Sequence, residues 1–229
     1  MIADQSVINM QTPRSAPPPR TRRKSERPGE LLDAALHLFV AQGYAATRVE
    51  EVARRAGVSK GTLFLYYPSK VELFEAVVRQ YMVSVIRLGE EELILSEVQA
   101  PAAELLLKAM MTWWEQVGAT PASGLPRLVM TEARQFPHLA EFYHREVIQP
   151  GIQLLKGILT LGVKAGEFRA MDMDFAVHSL WAGMVHLSLW QHGMGCCVPQ
   201  AQLDAPAFLR AHVYNLCQGF LAQSPKGAL

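Results

Sequence analysis

The sequence predicts an all-α protein: a small N-terminal three-helix unit carrying a helix-turn-helix, with a larger helical domain behind it. Three features predict this. Apolar residues recur at helical spacing through most of the 229 residues, and no stretch alternates with strand period for long. Pro121, Pro126, Pro137, Gly166, Gly193, Gly195, Pro199 and Pro206 divide the second half into helix-length segments. Residues 47–70 read TRVEEVARRAGVSKGTLFLYYPSK, two short helices joined by a three-residue turn and followed at once by a third.

Residues 1–26 hold too few apolar side chains to build a core and are expected to be disordered, ending in the basic run Arg20-Thr-Arg-Arg-Lys24. Pro28 opens the first helix, where its missing N–H costs nothing. Leu31, Ala35, Leu38 and Phe39 form its buried stripe, and Gly43 ends it. Thr47 caps the next helix and Glu50 completes a capping box. Val49, Val52, Ala53 and Ala56 give that helix one apolar face, and Gly57 stops it. Ser59 caps a short helix in which Leu63 and Tyr67, four apart, point inward. Ser69 and Glu72 make a second capping box at the start of a long helix reaching about Leu95. That helix is apolar on more than one face over its middle (Leu73, Phe74, Val77, Val78, Tyr81, Val85, Ile86, Leu88), so it is expected to pack against both halves of the protein. Further helices are expected near 101–118, 124–135, 138–165 with a bend at Pro150-Gly151, 172–191, and 205–222 with Asp204 as cap. The expected division is a basic arm over 1–26, a helix-turn-helix domain over 27–72 and a helical domain over 73–229.

Charge is distributed unevenly. Met1–Gln80 carries twelve Lys/Arg against eight Asp/Glu, +4, whereas Tyr81–Leu229 carries ten against thirteen, −3. A uniformly basic coat is excluded, but the helix-turn-helix half attracts phosphate. Two helices joined this tightly, the second presenting Lys60, Thr62, Phe64 and Tyr66 outward, suit insertion into a DNA major groove. Lys60, Gly61 and Thr62 lie nearest the N-terminus of the reading helix. Lys60 is placed to donate to guanine acceptors, Thr62 to touch a base or phosphate, and Gly61 to let the backbone approach. Tyr66, Lys70 and Arg48 are expected at phosphates, with Thr47 and Ser59 at the helix starts beside them. The basic run before Arg27 either adds phosphate or minor-groove contacts or is a solvated tail.

The chain resembles the TetR family of bacterial transcriptional regulators. The resemblance is carried by Phe39 and Gly43-Tyr44, by Thr47 to Ala53, by Gly57-Val58-Ser59-Lys60-Gly61-Thr62-Leu63, and by Tyr67-Pro68-Ser69-Lys70 with Glu72-Leu73, roughly residues 28–75. Phe64 stands where the family commonly has Tyr, Leu65 where another aromatic is common, and Tyr66 where His is frequent. These departures alter individual contacts, not the docking mode. The resemblance implies a homodimer reading a palindromic double-stranded DNA site, and a small-molecule cavity among the later helices. It implies a repressor released by its effector; a DNA-binding regulator without an effector, an activator or structural factor, is the alternative.

Leu106, Met110, Trp113, Trp114, Val117, Met130, Phe136 and Tyr143 are the adaptable apolar residues expected to line that cavity, which points to an apolar or aromatic effector. Individually they also suit core packing. Two helices are expected to form the dimer interface as a four-helix bundle. One presents Phe175, Ser179, Ala182, Gly183, His186 and Trp190, the other Phe208, His212, Asn215, Leu216 and Gly219.

No P-loop, dinucleotide fingerprint or G-x-S-x-G is present, and an enzyme is not expected. Neither a cofactor nor a metal is expected, because Cys196-Cys197 with His192 lacks a C-x-x-C spacing. Three cysteines, all in the last third, fit a reducing cytoplasm. Residues 1–26 lack a signal-peptide apolar region. Phe175–Leu203 contains no Lys, Arg, Asp or Glu, but its histidines, Ser179, Ser188 and Gln191 and the break after Gly193 favour a buried helix over a membrane span.

Overall fold

The computed structural model describes residues 20–96, 100–193, 195, 197–198 and 202–221. These residues form helices in the order α1 Arg20–Ala46, α2 Val49–Arg55, α3 Lys60–Tyr66, α4 Lys70–Val78, α5 Ser84–Ser96, α6 Ala102–Trp113, α7 Leu125–Glu132, α8 Pro137–Tyr143, α9 Gln149–Lys164, α10 Met173–His192 and α11 Ala205–Phe220. No strand forms among the described residues; one antiparallel bridge, Phe168 to Leu221, ties the entry to α10 to the end of α11.

Three junctions are π turns. Arg79–Val83 joins α4 to α5, Trp114–Gly118 ends α6, and His144–Ile148 joins α8 to α9. Each rotates the helix register locally, so successive turns present different faces. Pro150, where the sequence suggested a bend, lies in the first turn of α9 directly after the last π turn, where its missing N–H costs nothing. A 3₁₀ turn, Pro121–Gly124, leads into α7.

The caps are mostly as the sequence reads. Ser59 accepts from the Thr62 N–H at 3.1 Å and Ser69 from the Glu72 N–H at 3.1 Å. Asp204 accepts from Ala207 at 3.0 Å, and Asp172 caps α10 in the same way. Glu167 caps α6 from sixty-five residues away, accepting from the Ala102 and Ala103 N–H groups at 2.6 and 2.9 Å. Two starts differ from expectation. Helix α1 begins at Arg20 and contains Pro28, so the basic run lies on its first turns, while residues 1–19 lie outside the described set. Thr47 does not cap α2; Arg48 occupies the cap position without a side-chain bond. The Thr47 hydroxyl is buried and donates back to the Gly43 carbonyl at 2.6 Å. Gly43, at φ 88°, had already broken the helix there, and that free carbonyl captures the hydroxyl.

Two cores hold the chain. One joins Leu31, Phe39, Val52, Leu63, Leu73, Phe74 and Val77 of the first four helices to Leu125, Leu128, Leu139 and Phe142 of α7 and α8. Phe74 meets Phe39 and Tyr44 edge-on at 5.4 and 5.6 Å. The other packs α6, α9, α10 and α11 around Leu106, Leu159, Leu180 and Leu209. The helix-turn-helix unit therefore shares its core with α7 and α8, and packing does not stop at residue 72.

Candidate DNA-reading helix and effector cavity

Helix α3 is only seven residues long, so its position depends on what surrounds it. Leu63 is fully buried, and Val52 and Ala53 of α2 are buried beneath it. Gly57 takes φ 68°, the left-handed turn that a side chain would strain, and lets α2 fold back onto α3. The opposite face of α3 is open. Lys60 and Gly61 are exposed, and Leu65 is 84% exposed, an apolar side chain held in water on the reading face. Lys60 pairs with Glu50 of α2 at 2.5 Å and lies 5.6 Å over the Phe64 ring. Its hydrogen bond is the main reason the Glu50 carboxyl sits below its usual range. The Thr62 hydroxyl lies 2.9 Å from that of Ser59, so it is partly engaged before any partner arrives. Replacing Ser59 with Ala is expected to cost about 1 kcal/mol of stability, measured by denaturant unfolding, because the first turn of α3 loses its side-chain acceptor.

Two residues expected at the DNA face are engaged within the chain. Thr47 is buried and internally bonded. Lys70 donates to the Ala45 carbonyl at 3.0 Å and lies 4.4 Å over the Tyr44 ring, a strut between α4 and the end of α1. Burial lowers its ammonium pKa, with Glu132 opposing the shift. Arg48 is exposed, and Tyr66 is half-buried, packing against the first core.

Glu132, at the end of α7, reaches the α1–α2 junction. Its Oε1 accepts from the Tyr44 N–H at 2.7 Å, and its two oxygens share the Ala45 N–H at 3.4 and 3.2 Å. A Cβ on Gly43 would stand 2.5 Å from Oε1, so both the positive φ and this close approach demand glycine. Phe136, just beyond, meets the Tyr44 ring edge-on at 5.0 Å. The sequence offers no local signal for this link, because its two ends lie 88 residues apart.

Behind α7 lies an apolar cavity of about 120 Å³ with an open mouth. Of the residues the sequence nominated, Met110, Trp113, Val117, Met130 and Tyr143 line it. Leu106, Trp114 and Phe136 do not. Leu106 is fully buried in the α6–α11 core, the π turn at Trp114 carries that ring over Gly118, and Phe136 is spent on Tyr44. Much of the wall comes from elsewhere: Met82 and Ile86 of the α4–α5 rod, Leu154 of α9, and Trp181, Met184 and Ser188 of α10. All three π turns contribute, through Met82, Val117, Val147 and Ile148. The unusual two-sided apolarity of residues 73–88 was the one sequence signal for the α4–α5 wall. Burial raises the Tyr143 hydroxyl pKa well above its ordinary value, so it stays protonated.

Residues 31–77 match the model of bacterial regulatory proteins of the tetR family, and residues 104–221 match that of the C-terminal domain of AefR-like transcriptional repressors. The chain belongs to the TetR family. It is a DNA-binding transcriptional regulator of that family. It is 28% identical over 209 residues to the HTH-type transcriptional regulator RutR of Escherichia coli (strain K12), covering 85% of this chain and 86% of that one. It is 30% identical over 170 residues to the HTH-type transcriptional repressor KstR2 of Rhodococcus jostii (strain RHA1), covering 72% and 80%. The crystal structure of the transcriptional regulator FadR from Bacillus subtilis in complex with stearoyl-CoA shares the fold, with a TM-score of 0.67 at 22% identity over 84% of this chain and 98% of that one.

In this TetR-family chain α10 and α11 leave one face open. Phe175 is 74% exposed, and Ser179, Ala182, His186 and Asn215 are exposed beside it. The rings of Trp190, His186, Phe208 and His212 form a ladder with successive centroids 5.5, 5.5 and 5.7 Å apart. Leu216 is half-buried along the same helix. Gly183 is not on that face. It is buried, and a Cβ there would press on the His212 ring, so its smallness serves α10–α11 packing within the chain. Cys217 is buried too, its thiol pushed up to about 11 by desolvation first and Glu167 second, which leaves no thiolate at neutral pH. Cys196 lies outside the described residues, and no group of three potential metal ligands occurs among those described. No helix of the described residues is long and apolar enough to cross a membrane.

Proposed function

We propose that this regulator is a homodimeric repressor that holds a palindromic operator through two copies of α3 and leaves it when an apolar or aromatic small molecule occupies the cavity. The observation that carries this reading is the position of α7. Its Pro126, Val129 and Met130 form cavity wall, and its Glu132 grips the backbone between α1 and α2. The α4–α5 rod is a second path, with Leu73 and Phe74 in the head core and Met82, Val85 and Ile86 at the cavity. A ligand that separates the cavity walls favours an arrangement in which the two reading helices are wrongly spaced for successive grooves. The open face of α10 and α11, apolar at Phe175 and small at Ala182, supplies the dimer surface. The related KstR2 is named a repressor and the FadR structure holds an acyl-CoA, both of which favour this reading over a regulator without an effector. The cavity itself favours it as well, since an effector-free protein would be expected to close it.

Coupling of this kind is reciprocal. An effector that weakens operator binding must itself bind more weakly to the operator complex by the same factor, typically about 5–150-fold. The test is to select genomic fragments bound by the protein and then titrate release with apolar compounds, measuring both affinities in the presence and absence of the other partner. Equal losses of affinity are expected. Operator binding that no cavity-occupying ligand alters would overturn the sensing role.

A further inference from the structure

We propose that the effector is an amphipathic anion, an apolar chain or ring bearing one carboxylate, and that Arg127 and Ser188 receive that carboxylate at the α7–α10 end of the cavity. The inference rests on the sensing role above and adds the chemical class of the ligand. Its starting point is a set of orphaned polar atoms. Arg127 Nε, Ser188 Oγ and Gln191 Oε1 are buried and have no hydrogen-bond partner. They lie on two helices in contact: Ser188 is part of the cavity wall, while Arg127, just outside it, follows the wall residue Pro126 and acts electrostatically on His192, one helical turn beyond Ser188. Buried polar atoms left unpaired are rare because each forfeits its hydration without replacement. Three such atoms on the facing helices α7 and α10, one of them in the wall of an otherwise apolar chamber, point to a missing polar partner.

The charge balance identifies that partner. Arg127 forms no ion pair with any described residue. The titratable side chain coupled to it is His192, whose Nε2 lies 2.7 Å from the Ser123 hydroxyl. Burial and Arg127 itself both disfavour a charged imidazole there, so His192 neither neutralises the guanidinium nor competes for an anion. The one carboxylate of the cavity wall, Glu92, is already paired with Lys108 at 2.9 Å. A guanidinium half-withdrawn from water with no anion is unfavourable, and a carboxylate is its best-matched ligand. The Ser188 hydroxyl can donate to the same group. The Gln191 amide, turned over, offers an N–H as well. The rest of the chamber, with Met110, Trp113, Leu154 and Met184, suits a tail that carries no further polar group.

The test uses the full chain and its own fluorescence, since Trp113 and Trp181 both line the cavity. Decanoate, 1-decanol and methyl decanoate are titrated below their aggregation limits at pH 7.5, with 4-phenylbutyrate and 4-phenylbutanol as the aryl pair. The acids are expected to bind about ten- to a hundredfold more tightly than the matched alcohols, the range for a charge-assisted hydrogen-bonded pair. Arg127→Gln is expected to erase that preference while leaving alcohol binding and thermal unfolding nearly unchanged. Ser188→Ala, a smaller change to the fold, is expected to reduce it severalfold. Alcohols or esters that bind as well as the acids, in a protein whose fluorescence does respond, overturn the carboxylate and leave the sensing role standing. Silence from every compound overturns the carboxylate class as well, while the sensing role is decided separately by the operator-release titration.

Discussion

Glu132→Ala is expected to destabilise the protein by about 2–3 kcal/mol and to weaken operator binding while leaving effector binding intact. The carboxylate satisfies the Tyr44 and Ala45 N–H groups where the broken α1 helix turns into α2. Charge-assisted bonds of this kind contribute roughly 1.5–3 kcal/mol each, and Ala45 is exposed, so its bond falls below that range. Urea unfolding reads the stability change. For a chain of this size the melting midpoint should fall by roughly 5–10 °C. Operator and effector titrations read the uncoupling. Gly43→Ala is the companion experiment. Its φ of 88° penalises any Cβ, and the new methyl would meet Glu132 Oε1, so a loss of about 2–3 kcal/mol is expected. The double variant should lose less than the sum, because removing the Glu132 side chain relieves the clash while the backbone strain stays. Strict additivity would show that the two residues do not act through one contact, and the α7 link would then carry no coupling.

Lys60→Ala is expected to reduce operator affinity by a factor on the order of 30 to 25,000. A base contact is worth about 1–3 kcal/mol, and a two-fold dimer loses it twice. Folding stability should barely change, because Lys60 and Glu50 are both solvent-exposed and such pairs contribute little. The specificity profile separates two roles. Loss confined to one position in each half-site marks a base contact, whereas uniform loss across sequences with a shallower salt dependence marks a phosphate contact. Glu50→Gln should act oppositely. Releasing Lys60 and removing a negative charge beside the groove raises affinity for all duplexes, including random competitor. Unchanged operator affinity in Lys60→Ala would place the readout elsewhere on α3, with the exposed Leu65 as the next residue to test.

The parts of this protein that were legible in its sequence are those fixed by neighbours in the chain. Ser59 and Asp204 cap their helices because the groups they bond lie three residues away. Gly57 turns α2 into α3 because only the local backbone angle matters there. Thr47 misled for the same reason. Its spacing to Glu50 suits a capping box, but the carbonyl freed by Gly43 lies closer to its hydroxyl and takes it. Leu106 and Trp114 misled because apolar spacing on a helix indicates burial without indicating what is buried against it. The π turn after Trp113 rotates the next residue out of the register that a uniform helix would have given.

The sequence by itself determined the reading helix, its turn and its exposed Lys60, because capping, left-handed glycine and helical spacing act over a few residues. Tertiary structure alone decided the cavity, the Glu132 grip on Tyr44 and Ala45, and the strut made by Lys70. Each of these joins groups far apart in the chain, and side-chain chemistry says what a residue can bond without saying which distant partner the packed helices will bring to it.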